Sequence, residues 1–348
     1  MDSGECIRRS EFAMSNVPVI SVSVLRPYIK FLNDVGVPLD RHLRRSKIPL
    51  FFADDPAKFI PTESFWSFAG EVEKREALNN LGLHVALAEG ADCLNPNHRQ
   101  LLAAAPTLLV GLKKSIAALD RESSGSYLRL DLKSEEVVRF THHPTFGNEH
   151  PYHGMMAMFA LFGMLEIVRV YLGHDWQPDV IGAPDRNAKD ILAEFLPDSR
   201  FRRHHSCTYI EFLRDLLDTP PMVTVREQTD PSLIAAEAHA PESFRDTVAL
   251  LLGGYLPGQP PTIPAFAEVL RISVRSLQRQ LADSGTSFRN EVLTSRYRMA
   301  KRLLLESDEP VDMIANKLGY RHSTHFIHFF SNIAGITPLQ YRKRHRTK

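Results

Sequence analysis

Cysteine is scarce in this chain: Cys6, Cys93 and Cys207 are the only three among 348 residues. So few, so widely spaced, they offer neither a disulfide framework nor a structural zinc motif, and a reducing, cytosolic (cytoplasmic) home fits best. Long apolar runs are also missing. The most apolar stretch, Gly154 to Leu165, meets Glu166 and Arg169 before reaching the roughly 20 residues of a membrane-spanning helix, so no membrane association is expected. Met1 to Asn16 has no apolar segment of the kind a secretory signal needs. It is expected to be a disordered leader, with Met14 as an alternative start. Neither a Gly-rich phosphate loop nor G-x-S-x-G occurs, and the reading is of a protein that is not an enzyme and carries no cofactor.

Apolar residues make up 43% and charged residues 24% of the chain, a globular composition with enough length for two or three folded units. The net charge of +1 hides an asymmetry. From Thr262 to Lys348 there are 15 Lys+Arg against 7 Asp+Glu, whereas the remainder has 27 against 34. A basic block beside an acidic partner is the footprint of one domain that meets polyphosphate, although a solvated basic tail (Arg342, Lys343, Arg344, Arg346, Lys348) would give the same charge. Helix breakers crowd between Gly253 and Pro261, and prolines recur from Thr219 to Pro231. The expected organisation is a leader over 1–16, a domain over 17–218, a linker over 219–242 and a second domain over 243–348.

The first domain mixes periods and is expected to be α+β. Val24 to Val35, Leu101 to Leu119 and Met155 to Leu172 carry apolar residues at helical spacing. Tyr127 to Leu132 and Glu136 to Thr141 alternate like half-buried strands, with Asp179 to Ala183 and Cys207 to Phe212 as further short candidates.

After Thr262 the pattern is wholly helical, and one design occurs twice about 49 residues apart. In the first copy Thr262 can cap a short helix with Phe266, Ala267 and Leu270 inward; Ser273 can cap the next, on which Leu277 and Leu281 lie one turn apart. Two short helices joined by about three residues are the signature of a helix-turn-helix. In the second copy Val311, Ile314, Ala315 and Leu318 precede a turn at Gly319, followed by a helix from about Ser323 with Phe326, Phe329 and Phe330. Between them, about 19 residues from Ser287 to Leu305 contain no Gly or Pro. A helix of that length is about 28 Å long, against about 34 Å between successive major-groove faces of B-DNA. The expected C-terminal fold is all-α, two helix-turn-helix units joined by a long helix.

This arrangement resembles the AraC/XylS family of transcription regulators. The matching residues include Ala267, Leu270, Ser273, Leu277 and Leu281, then Phe288, Arg296, Ala300 and Leu304, then Ile314, Ala315, Gly319, Phe326, Phe330, Gly335, Thr337, Pro338 and Arg342. Departures stand at Arg271, where the family often has Gly, and at His328 and Ser331, where Arg and Lys are common. The first domain is similar to the arabinose-binding-like half of a subgroup of that family, through Gly36 in an early helix, Ala104 to Leu108 ahead of a helix, and Trp176 ahead of a strand. The resemblance implies a sequence-specific activator or repressor acting on double-stranded DNA at an operator or promoter. It also implies contact with RNA polymerase, an unknown small-molecule effector in the first domain, and a homodimer through that domain.

On the first recognition helix Arg275, Ser276, Gln278 and Arg279 are the candidates for DNA contact; on the second they are Ser323, Thr324 and His328. Arg can grip guanine and Gln adenine in bidentate fashion, whereas the second set lacks reach and fixed charge, which predicts phosphate positioning and shape reading there. A rival reading is a metal-dependent enzyme or metal sensor. His142, His143, His150 and His153, with Glu149, cluster in twelve residues on an expected loop, and imidazoles with a carboxylate can hold zinc.

Overall fold

A computed structural model describes residues 17–48, 58–184, 188–222, 240–241, 243–256 and 258–346. The expected leader, with Met14 and Cys6, and most of the expected linker lie outside the described residues. The chain divides into two compact units, Met1–Ala240 and Pro241–Lys348.

The first unit is α+β. Strand β1 (Val19–Ser21) pairs antiparallel with β2 (Phe59–Pro61). Helices α1 (Arg26–Asp34), α2 (Leu39–Arg45), α3 (Thr62–Arg75), α4 (Leu81–Glu89), α5 (Pro96–Ala103) and α6 (Leu108–Glu122) precede the main sheet. That sheet is built from β3 (Tyr127–Leu132), β4 (Val137–His143), β5 (Val180–Ala183), β6 (Arg200–Arg203) and β7 (Thr208–Leu213), in the order β3-β4-β7-β5-β6. Helix α7 (His153–Leu172) follows β4, and α8 (Ala188–Phe195) joins β5 to β6, which run parallel. A parallel neighbour requires a crossover rather than a hairpin, and α8 supplies it.

The sheet forms because alternate residues of its central strands bury together. Val138 and Phe140 of β4 and Ile210 and Phe212 of β7 are at most 1% exposed, and they pack with Leu161, Leu165 and Val168 of α7. On the opposite side of the pleat Arg139 stands across from Glu211, donating to it from Nε at 2.8 Å, while its guanidinium covers the Tyr209 ring at 4.0 Å. Helix α7 is long and apolar enough to cross a membrane by length and composition, but most of it is buried within this unit.

Three local expectations need correction. Leu101 to Leu119 is two helices, α5 and α6, because Pro106 cannot continue a helix and the Thr107 hydroxyl accepts the Val110 amide to start a new one. Gly36 lies in the turn after α1, at φ +79°, rather than within the helix. The four histidines do not share a loop: His142 and His143 end β4, and His153 opens α7. Strands β1 and β2 are three residues each, too short for a period to show, and β6 is an arginine-rich edge with no apolar alternation.

The second unit has seven helices among its described residues: α9 (Phe244–Gly254), α10 (Ile263–Val269), α11 (Val274–Asp283), α12 (Phe288–Glu306), α13 (Val311–Lys317), α14 (Ser323–Ala334) and α15 (Pro338–His345). It contains two helix-turn-helix units, α10–α11 and α13–α14, joined by the 19-residue α12. Met299, Ala300 and Leu304 of α12 pack with Ile314, Ala315, Phe326 and Phe330 of the second unit, forming its core.

Candidate nucleic-acid interface and an apolar cavity

The first helix-turn-helix is built by its caps and two small contacts. Thr262 Oγ1 accepts the Ala265 amide at 3.4 Å, and Ser273 Oγ accepts the Ser276 amide at 3.0 Å. Phe266 and Ala267 of α10 and Leu277 and Leu281 of α11 are at most 2% exposed. The chain leaves α10 through Arg271 in the left-handed region, φ +54°, and the Ile272 amide reaches back to the Ala267 carbonyl at 3.1 Å. The second unit repeats this with Gly319 at φ +80° and the Tyr320 amide on the Ala315 carbonyl at 3.0 Å. Backbone carbonyls orphaned at a helix end are thereby satisfied in the same way twice.

The repeat is not perfect. Residues 270–273 connect α10 to α11, but residues 318–322 connect α13 to α14, one residue more and both longer than the expected three. The cap is not shared either: α14 begins after His322, which makes no side-chain cap, and Ser323 is its first helical residue.

Burying Leu277 and Leu281 turns the other face of α11 to solvent. Arg275, Gln278 and Arg279 lie on it at i, i+3 and i+4, all exposed, and their side chains make no hydrogen bond or ion pair among the described residues. Ser276 differs: it is half-buried, and its amide and hydroxyl both engage Ser273. On α14 Thr324 and His328 are exposed and Ser323 is half-buried. Arg321 and His325 are exposed beside them. Neither was singled out by sequence; the signal was available, since Arg321 stands two residues before the helix and His325 lies three residues before His328.

Other cations of the basic block are committed to structure. Arg342 Nε donates to the Leu304 carbonyl at 3.1 Å and its Nη2 to the Glu309 carbonyl at 2.6 Å, tying α15 to the end of α12. Arg296 covers the Tyr320 ring at 5.0 Å, Lys317 pairs with Glu309, and Arg346 pairs with Asp308. Lys343 and Arg344 stay exposed on α15.

The histidine group in the first unit does not form a metal site: among the described residues no three His, Cys, Asp or Glu side chains are placed to hold a metal ion. His150 Nε2 meets Glu63 Oε2 at 3.0 Å and stacks on Phe146, and His153 Nδ1 meets the Phe146 carbonyl at 3.0 Å. His142 turns up elsewhere, in the lining of an apolar cavity of about 150 Å³. Helix α3 contributes Phe65 and Trp66 to it, α7 contributes Met156, Phe159 and Met164, and polar side chains come from Asn95, His98, Glu122 and His142.

Burial sets the protonation of this polar group. Desolvation drives the His142 imidazole down to about 3 and the His98 imidazole down to about 4, so both are neutral. It pushes the Glu122 carboxyl up to about 7, against the Asn95 amide that donates to it at 2.9 Å and the positive charge of Arg121. The Ser115 hydroxyl donates to the Gly111 carbonyl at 3.0 Å, so the 2.8 Å contact to His98 requires Nε2–H as donor and leaves Nδ1 as an acceptor.

Comparison with known proteins bears on the second unit. A family model described as a helix-turn-helix domain matches residues 266–344. The HTH-type transcriptional regulator VqsM of Pseudomonas aeruginosa is 34% identical over 113 residues, covering 30% of this chain and 35% of that protein. The HTH-type transcriptional activator CsvR of Escherichia coli is 30% identical over 80 residues, 23% of this chain and 30% of that protein. The chain thus spans about a third of the length of these curated relatives. Among solved structures, the transcriptional regulator CdpR from Pseudomonas aeruginosa aligns over 88% of this chain and 96% of its own, at 19% identity and a TM-score of 0.37. The DNA-binding domain of AdpA, solved with a target DNA, aligns over 30% of this chain and 93% of its own, at 25% identity and a TM-score of 0.27. With the duplicated helix-turn-helix, the left-handed turns and the long connecting helix in place, residues 266–344 form a helix-turn-helix domain of the AraC type.

Proposed function

We propose that this chain is a sequence-specific DNA-binding transcription regulator whose second unit reads the duplex and whose first unit binds a small-molecule effector. The observation that carries the reading is the solvent stripe of Arg275, Gln278 and Arg279 on a helix anchored from behind by Leu277 and Leu281. A rigid helix offering forked donors at i, i+3 and i+4 suits the major groove, where Arg recognises guanine and Gln adenine. Helix α12, about 28 Å long at 1.5 Å per residue, holds the second module near the next groove face, with bending of the duplex taking up the remainder. Thr324, His328 and the added Arg321 suit phosphate contact and shape reading. Ser276, occupied with Ser273, acts as part of the cap.

Effector binding in the first unit would bias how the readers occupy their sites and touch RNA polymerase, with pairing of first units as the means of coupling. The cavity supports that reading: it is apolar, lined by α3, α5, α6, α7 and the sheet, and carries a few polar groups, as small-molecule sites do.

Selection of a binding site from random duplexes, followed by titration across salt concentrations, tests the function. One enriched sequence and a log–log salt slope equal to several neutralised phosphates are expected. A chain that enriches no sequence and shows no salt-dependent DNA binding defeats the proposal.

A further inference from the structure

Given the reading of the first unit as an effector domain, the cavity's chemistry narrows what it takes. No lysine or arginine lines it, and Glu122 is its single acidic side chain among the described residues. Two lining residues carry buried polar atoms with no hydrogen-bond partner, Thr62 Oγ1 and His142 Nδ1. His98 adds a lone pair at Nδ1. These atoms leave an incoming polar group unoccupied partners within the lining. A carboxylate or phosphate ligand would face Glu122 with no lysine or arginine in the lining to offset it, since Arg121, outside the lining, already acts on Glu122. The Glu122 carboxyl accepts one amide hydrogen bond and feels the charge of Arg121 from outside the lining, yet burial still raises it, and a cationic ligand paired with it directly would offset that cost.

We propose that this cavity binds a small, mainly apolar primary amine, with its ammonium group paired to Glu122 and its hydrocarbon body packed against Trp66, Phe159 and Met164. The size agrees, because an engineered apolar cavity of about 150 Å³ holds one benzene ring. Pairing requires Glu122 as carboxylate, so its proton leaves to solvent as the amine enters, and affinity rises with pH through neutrality. The amine stays charged there, since alkylammonium groups titrate near about 10.4 as lysine does.

The test uses the full chain with Trp176→Phe, which leaves Trp66, a lining residue, as its one tryptophan. Its fluorescence is titrated with phenethylamine, phenethyl alcohol and hydrocinnamate at pH 6 and pH 8, with and without Glu122→Gln. At pH 8 the amine should bind about tenfold tighter than either analogue, a difference of about 1.4 kcal/mol. That preference should shrink at pH 6 and vanish in Glu122→Gln while the alcohol's affinity holds. Equal or tighter binding of the alcohol or the carboxylate, a preference that survives Glu122→Gln, or no response of Trp66 to any probe overturns the proposal. A parallel DNA titration separates the two readings: selective amine binding that leaves DNA affinity unchanged upholds the ligand class and removes the effector role.

Discussion

At the scale of single residues, the basic block separates into cations that hold the fold and cations that face water. Arg342 belongs to the first group, since it satisfies two carbonyls on different segments. Arg342→Ala should cost about 1–3 kcal/mol of stability by leaving them unpaired, and Arg342→Lys should not restore it, because an ammonium lacks the planar fork. Urea unfolding followed by far-UV circular dichroism measures both. Arg279 belongs to the second group. Arg279→Ala should weaken binding to the selected site by about 1–3 kcal/mol and relax preference at one or two base pairs, with the unfolding midpoint unchanged. An undiminished affinity in that titration would remove Arg279 from the interface. Net charge alone could not make this division, because a guanidinium counts as +1 whether it bridges carbonyls or meets phosphate.

At the scale of elements, the two helix-turn-helix units solve one problem with different residues. Each must end a helix and turn the chain within a few residues, and each places one residue in the left-handed region to do so. Gly319 has no Cβ to conflict with that conformation; an added one would also stand 3.1 Å from the Gly258 carbonyl oxygen. Gly319→Ala should therefore destabilise the second unit by at least about 1–2 kcal/mol, read as a lowered thermal midpoint. Arg271 holds the equivalent place at φ +54°, so the first unit bears a strain that the second avoids. The helices, their caps at Thr262 and Ser273, and the length of α12 were legible because they depend on neighbours within four residues. The cap of α14 was not: Ser323 has the right chemistry, but the extra residue in the turn shifts the boundary and puts His322 at the N-cap. Likewise the apolar period from Leu101 to Leu119 runs through a break that Pro106 and Thr107 impose on the backbone.

At the scale of the whole molecule, stability should follow the titration of groups buried around the cavity. His98 and His142 have imidazoles held far below the ordinary histidine value near 6.5, so the unfolded chain takes up two protons that the folded one refuses as pH falls from about 6.5 toward 4. Glu122 works in the opposite sense. Its raised carboxyl keeps a proton in the fold that the unfolded chain releases between about 4.5 and 7, favouring the fold at the acid end. Two protons against one leave a net loss of stability on acidification through that window. Guanidinium unfolding at several pH values, followed by Trp66 and Trp176 fluorescence, reads the first unit alone, since both tryptophans lie in it. A midpoint that rises as pH falls from 6.5 to 4.5 would contradict the assignment of these buried groups.

The sequence by itself determined the charge division, the α+β and all-α characters, the twin helix-turn-helix and the exposed face of α11. All of these arise from periodicity, capping and composition, which act over one or two turns of chain. Tertiary structure decided the rest. It set the histidines from 142 to 153 so that, among the described residues, no three could share a metal ion, and it gathered Thr62, His98, Glu122 and His142 around one cavity from four separate segments. No local rule links those positions. Their meeting follows from how α3, α5, α6, α7 and β4 pack to bury apolar faces, and their protonation follows from the water that packing excludes.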